Sequence, residues 1–293
     1  MSREVILTCA INGGGTAALA EHPAIPITPG DIAKEVMHAS QNGAAIAHIH
    51  VRDPQTGHGS NSFELYSAVV AMVRSSGTDI VLNLTCSMAS LVSLEWSDGL
   101  RLADGTSLAM PIERIRHALE LKPEIATIDC GVFGIGESIF VGRPSDLRSM
   151  AVLMRDAGIR PELECFDLGQ IETAKKLIEE GYVEKPSFIQ LCLGTGYGAP
   201  DTLSALEGMR AQLPAQSIWA AFGCGRNQLG LVPHIVRAGG HIRVGLEDTR
   251  FMPDGSKATN ASLIAAAANI VRSQGCSLAT PAQARQILKL KGA

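Results

Sequence analysis

Short apolar runs alternate with longer helix-like stretches along the whole 293-residue chain, and this alternation limits the fold more than any other feature. The runs are Val5–Ile11, Ala45–Val51, Ile80–Leu84, Ile125–Cys130, Glu162–Phe166, Phe188–Leu193, Ile218–Phe222 and His241–Leu246. Helix signals fall between them. Thr28-Pro29 offers an N-cap threonine with proline at the first helical position, and Pro144 and Thr280-Pro281 open further helices. Gly158 closes a helix over Leu147–Ala157, Gly181 one over Ile171–Glu180, and Gly239 one over Leu231–Ala238; Leu203–Leu213 and Asn260–Ser273 are further helical stretches. Eight strand-then-helix units in a chain of this length match an α/β fold of the (β/α)8 TIM-barrel type, with an open doubly wound sheet as the alternative. No Pro/Gly/Ser-rich linker divides the chain, so residues 1–293 read as one barrel domain. The longest irregular stretch is a loop at about 86–110 after the third strand, with turns at Asp98-Gly99 and Asp104-Gly105. A loop of that length serves function or a subunit contact.

Composition narrows the function. Net charge is −4 with no long basic run, which argues against nucleic acid as a partner. No uninterrupted apolar stretch is long enough for a membrane span, and the N-terminus lacks the pattern of a secretory signal. The seven cysteines form no CxxC pair and several fall in apolar runs, as buried reduced thiols do. The expectation is a soluble cytoplasmic protein.

The chemistry concentrates at strand ends. His48 and His50 lie one residue apart, so on a strand both imidazoles point the same way, and two imidazoles side by side suit a divalent metal. In a barrel, catalytic groups stand at the carboxyl ends of strands. In the eighth run, Arg243, Gly245 and Glu247 share one face, with Val244 and Leu246 toward the helices. Strands two and eight can converge across the first, making Glu247 a third ligand; two histidines and one carboxylate leave coordination positions open, as catalytic sites do. Gly245 is expected to leave room beside the metal. The alternative for Arg243 and Glu247 is an internal ion pair. Asp248 flanks the site as a base, oriented or tuned by Arg243. At the ends of the third and fourth strands, around Thr85, Ser87, Thr127 and Asp129, the hydroxyls and loop amides suit a substrate carboxylate or oxyanion. Gly194-Thr195-Gly196-Tyr197-Gly198 and Gly223-Cys224-Gly225-Arg226 follow the sixth and seventh strands; Arg226 is a candidate contact for phosphate or CoA.

These pieces together resemble the β-keto acid cleavage enzymes, whose founding activity is 3-keto-5-aminohexanoate cleavage. The resemblance runs nearly end to end, through Ile6–Gly13, Pro26–Pro29, His48–Pro54, Lys122–Thr127, Gly240–Asp248 and Ala279–Pro281. It implies a zinc-dependent (β/α)8 barrel, a homotetramer, with acetyl-CoA as co-substrate. It further implies that His48, His50 and Glu247 are zinc ligands, that Asp248 and Arg243 form the catalytic acid–base pair, and that Thr85 and Thr127 contact substrate. The implied reaction removes a C2 proton from a zinc-held β-keto acid, condenses the carbanion with acetyl-CoA, and lets the released thiolate cleave the adduct to acetoacetate and a new acyl-CoA.

One departure bears on the substrate. Members acting on the amino-bearing substrate carry a glutamate after the first strand, whereas this chain reads Asn12-Gly13-Gly14-Gly15-Thr16, with Glu21 further on. Its expected substrate is therefore not 3-keto-5-aminohexanoate but a β-keto acid with a bulkier or uncharged tail. For a quaternary ammonium such as dehydrocarnitine, Trp96 or Tyr197 is the candidate aromatic face. The competing readings are a zinc-dependent hydrolase on the same barrel, with Asp248 as base for a metal-bound water, and a ligand-binding barrel without turnover.

Overall fold

The computed structural model describes residues 2–15, 22, 24–97 and 99–291. Eight parallel strands close into a barrel in chain order: β1 Leu7–Ala10, β2 Ile46–Ile49, β3 Val81–Thr85, β4 Ile125–Asp129, β5 Arg160–Cys165, β6 Phe188–Leu193, β7 Ile218–Gly223 and β8 His241–Val244, which pairs back onto β1. Each apolar run supplies one strand, so the fold is the expected TIM barrel.

The helices begin and end largely where local chemistry dictates. Thr28 accepts a hydrogen bond from the Asp31 amide and caps Pro29–Gln41, Gly158 closes Pro144–Ala157 in the left-handed conformation, and Thr280 caps Pro281–Leu288. None among the described residues is long and apolar enough to cross a membrane.

Two strand ends depart from the barrel. Val5 leaves it to pair, with Glu4, against Ser277–Leu278. Beyond His50, Val51–Arg52 turns away to pair with Gly59–Ser60. The segment expected as a long irregular loop is also ordered. Ser90–Trp96, Leu100–Leu102 and Ser107–Leu108 are antiparallel strands, and Ser90–Trp96 also pairs with Ser138–Val141, itself paired with Val132–Ile135. The turn expected at Asp98-Gly99 lies partly outside the described residues, since Asp98 is not among them. The strands of this segment are short and largely half-exposed or exposed, so neither the length nor the burial of a core strand marks them in sequence.

The lumen is divided by height. Ile6, Ile46, Val81, Ile125, Phe188 and Ala220 pack at the amino ends of the strands, where Ala284 and Leu288 of the final helix plug the barrel floor. Above them the lumen turns polar, with Thr8, His48, Asn83, Thr127, Glu162, Gln190 and Arg243 all buried. Two further buried histidines serve the frame. His241 accepts a hydrogen bond from the Ile6 amide at 3.0 Å, and His117 stacks on Tyr66 with its Nε2 2.8 Å from the Thr85 carbonyl. Burial pulls both imidazoles down to about 4 from 6.5.

A histidine whose folded pKa is depressed stabilises the fold fully above its unfolded value, and that contribution is lost as pH falls toward the folded value. Stability should therefore drop between about pH 6.5 and 4, by up to about 3 kcal/mol per histidine. Urea unfolding of wild type and His241→Asn across this range checks it; the variant should lose less stability on acidification.

Candidate functional site

At the carboxyl ends of the strands lies a cavity of about 600 Å³. His50 lines it just past the end of β2, and the buried His48 ring stands behind it, the two rings 5.3 Å apart. Glu247 comes from the turn after β8, and its Oε1 stands 3.6 Å from His48 Nε2 and 3.4 Å from His50 Nε2. These three residues can offer ligand atoms that all lie within 4.8 Å of one another. Glu247 Oε2 and His50 Nδ1 are buried without a hydrogen-bond partner. The convergence of strands two and eight across the first is thus present.

The turn carrying Glu247 is held by side chains, because the ladder stops at Val244. The Gly245 amide donates to Gln228 Oε1 and the Leu246 amide to Asn260 Oδ1, while Asn260 Nδ2 donates to the Ile11 carbonyl. Gly245 serves closure of the barrel mouth and not, as expected, space beside a metal: a Cβ there would lie 2.0 Å from the Ala10 carbonyl oxygen. Gly13 is also tightly packed, since its Cβ would meet Glu247 Cγ at 2.7 Å. Arg52 fixes the glycine loop from below by donating to the Asn12 and Gly15 carbonyls.

Arg243 binds three carboxyl groups at once. Its Nε and Nη2 fork onto Asp248 at 2.9 and 2.8 Å, Nη1 reaches Glu164 Oε1 at 2.7 Å, and Nη2 also reaches Glu247 Oε1 at 2.7 Å. The Phe222 ring covers its guanidinium at 4.3 Å. Burial raises the Asp248 carboxyl to about 6 although Arg243 opposes the shift. Burial likewise lifts Glu164 well above the carboxylate range. It works against Glu247 too, but there Arg243 and the two imidazoles win and hold the carboxyl well below that range.

Ser87 and Asp129 line the cavity and are joined by a hydrogen bond from the Ser87 hydroxyl to Asp129 Oδ2. Arg226 lies exposed at the rim above the Phe251 ring, also on the cavity wall. Thr85 and Thr127 are fully buried and do not line the cavity. The Thr85 hydroxyl serves Ser87, donating to its hydroxyl and accepting from its amide. The Thr127 hydroxyl lies under His48, 3.3 Å from Nδ1. Trp96 and Tyr197 do not reach the cavity; Tyr197 packs on Gly134. The aromatic wall comes instead from Phe133, Phe140, Phe166 and Phe222, with Phe133 stacked on both Phe140 and Phe166.

A family model for beta-keto acid cleavage enzyme matches residues 4–290. The chain belongs to the β-keto acid cleavage enzyme family. It is 41% identical over 295 residues to 3-dehydrocarnitine:acetyl-CoA trimethylamine transferase of Rhizobium meliloti (strain 1021), covering 99% of this chain and 98% of that one. It is 31% identical to 3-keto-5-aminohexanoate cleavage enzyme of Fusobacterium nucleatum subsp. nucleatum, covering 99% and 100%. Among solved structures, the binary complex of ObcA with oxaloacetate shares the fold with a TM-score of 0.73 at 22% identity, covering 92% of this chain and 68% of that one.

Within this β-keto acid cleavage enzyme, Glu162 and Glu164 are the buried acids absent from the expected site. They stand i, i+2 in the run Pro161-Glu162-Leu163-Glu164-Cys165, so the alternation that singles out His48 and His50 places both acids on one face as well. Arg243→Met strips the shared cation from Glu164, Glu247 and Asp248. The variant should lose on the order of 3–5 kcal/mol of stability, measured by urea unfolding.

Proposed function

We propose that this chain is a zinc-dependent β-keto acid cleavage enzyme that converts a β-keto acid and acetyl-CoA to acetoacetate and a new acyl-CoA, with 3-dehydrocarnitine as the favoured substrate. The observation that carries the reading is the meeting of His48, His50 and Glu247 beside an Asp248 forked by Arg243. Zinc bound by tetrahedral donors at about 2.0–2.1 Å leaves those donors about 3.3–3.4 Å apart. The 3.4 and 3.6 Å separations between Glu247 and the imidazoles fit that spacing and are long for direct hydrogen bonds. Zinc held there supplies Lewis acidity for a ketone or enolate oxygen.

The chain's own residues do the rest. Asp248, held in one orientation by Arg243, removes the C2 proton of the β-keto acid; a base with a pKa of about 6 is mostly ionised at neutral pH and still basic enough to accept it. The resulting carbanion attacks the acetyl carbonyl and expels CoA thiolate. That thiolate attacks the original ketone, and cleavage between C2 and C3 releases the new thioester and a C2 carbanion that takes back the proton held by Asp248 to give acetoacetate. Ser87 and Asp129 on the cavity wall are the candidate contacts for the substrate's polar end, and Arg226 at the rim suits a CoA phosphate.

Tail preference follows from the wall. The aromatic faces of Phe133, Phe140, Phe166 and Phe222 suit a trimethylammonium group. No acid stands at Gly15, where a Cβ would have nothing within 4 Å, and Glu21 lies outside the described residues. The 41% identical relative named for 3-dehydrocarnitine supports the same choice. We further take the enzyme to be a cytoplasmic homo-oligomer, a tetramer by family resemblance. All seven cysteines are free thiols, as in a reducing compartment, and Trp96, Leu102, Leu108 and Met110 form exposed apolar surface on the antiparallel excursion.

Incubation with 3-dehydrocarnitine and acetyl-CoA labelled at both acetyl carbons tests the reaction. The expected products are trimethylammonioacetyl-CoA and acetoacetate labelled at its ketone and methyl carbons, C3 and C4. Asp248→Asn should keep zinc and lose the products, whereas His48→Ala should lose zinc by elemental analysis. Turnover without acetyl-CoA would instead identify a hydrolase. Separately, Gly15→Glu should shift kcat/KM at least tenfold toward 3-keto-5-aminohexanoate relative to 3-dehydrocarnitine, since a carboxylate would then face the ammonium; competition assays with both substrates measure it.

A further inference from the structure

Beneath the metal-ligand cluster lies a buried polar set with no contact to the cavity. Thr127 Oγ1 is 2.6 Å from Glu162 Oε2, 2.9 Å from Asn83 Oδ1 and 3.3 Å from His48 Nδ1. Asn83 Nδ2 donates to the same Glu162 oxygen at 2.6 Å. His48, Asn83, Thr127 and Glu162 are each 0 or 1% exposed, so water does not compete for these atoms. Among the described residues, Glu162 has no ion-pair partner, and its Oε1 has no hydrogen-bond partner. Such a buried acid is costly unless something uses its acceptor strength.

A threonine hydroxyl has one proton to give. Two of its neighbours here, Glu162 Oε2 and Asn83 Oδ1, only accept. The amide orientation of Asn83 is fixed, because the reverse would set two acceptor oxygens 2.6 Å apart. The Thr127 proton is therefore committed away from His48, and the hydroxyl offers the imidazole only a lone pair. His48 must then carry its proton on Nδ1, leaving Nε2 as the bare donor that faces Glu247.

We propose that Thr127, backed by Glu162, is a positioning residue that locks His48 in the Nδ1–H tautomer and so presets Nε2 for the metal. This rests on the zinc reading above for its purpose, but not for its geometry. Without Glu162 the Asn83 amide is no longer fixed; once it turns its Nδ2 toward Thr127, the hydroxyl proton is free to turn toward Nδ1, and the ring proton would move to Nε2, where it blocks the ligand position. The family resemblance placed Thr127 against substrate; its burial under His48 gives it this role instead.

Two measurements test the proposal. In metal-free wild-type protein at neutral pH, nitrogen NMR with labelled histidine should show His48 protonated on Nδ1. A proton on Nε2 would overturn the proposal, whatever zinc does. In zinc competition against a chelator, Thr127→Val and Glu162→Met should bind about 10–100-fold more weakly, while Thr127→Ser, which keeps the hydroxyl, should stay within about threefold of wild type. Thr127→Val binding zinc as tightly as wild type would overturn it. Equal loss in Thr127→Ser and Thr127→Val would also overturn it, since packing and not the hydroxyl would then be responsible. Wild type that binds no zinc but shows the Nδ1 proton would sink the metal reading and leave the tautomer lock standing.

Discussion

Arg243 is 2% exposed and touches Glu164, Glu247 and Asp248 at once, and the working end of the barrel is organised around that contact. One guanidinium cannot neutralise three buried carboxylates. The surroundings settle the imbalance by driving the three groups apart. Glu247, flanked by two imidazoles as well as Arg243, stays ionised. Glu164, deeper and close to other acids, is pushed toward its protonated form. Asp248 falls between, near 6. Three chemically similar groups are thereby driven to different protonation behaviour, and environment alone makes the difference.

The same division appears along the barrel axis. The amino ends of the strands bury Ile, Val and Phe against the last helix, and this floor is indifferent to chemistry. It supplies the rigidity that lets polar side chains higher in the lumen be held without water. The ends of β2 and β8 then leave the ladder, and their backbone groups are taken up by Asn12, Gln228 and Asn260. Helix and loop side chains thus do for the strand ends what neighbouring strands do elsewhere.

Much of this was legible in sequence because barrel strands are marked by burial. All eight apolar runs became strands, and the His48–His50 alternation needed only the two-residue period of a strand to be read. The antiparallel excursion was not legible, since Ser90–Trp96 and its partners are half-exposed and too short for a period to show. The role of Gly245 was misread because its constraint is a single approach to the Ala10 carbonyl, a long-range contact without local signature. Thr127 illustrates a finer limit. Its strand position and inward direction follow from sequence, but whether it meets the cavity or lies one layer below depends on the stagger of neighbouring strands, which only the closed barrel sets.

The aromatic wall shows the same limit on the substrate side. Phe133 and Phe140 belong to the hairpin after β4, Phe166 follows β5 and Phe222 ends β7, so no local pattern joins them. They meet because the excursion folds back over the barrel mouth and stacks Phe133 between Phe140 and Phe166. The His48, His50, Glu247 and Arg243 cluster, by contrast, is carried by two strands and one turn. The cavity wall can therefore vary through the excursion and the glycine loop while the cluster on β2 and the turn after β8 stays fixed. In this chain the open space beside Gly15 and the stacked phenylalanines line the same cavity and make up one such variation.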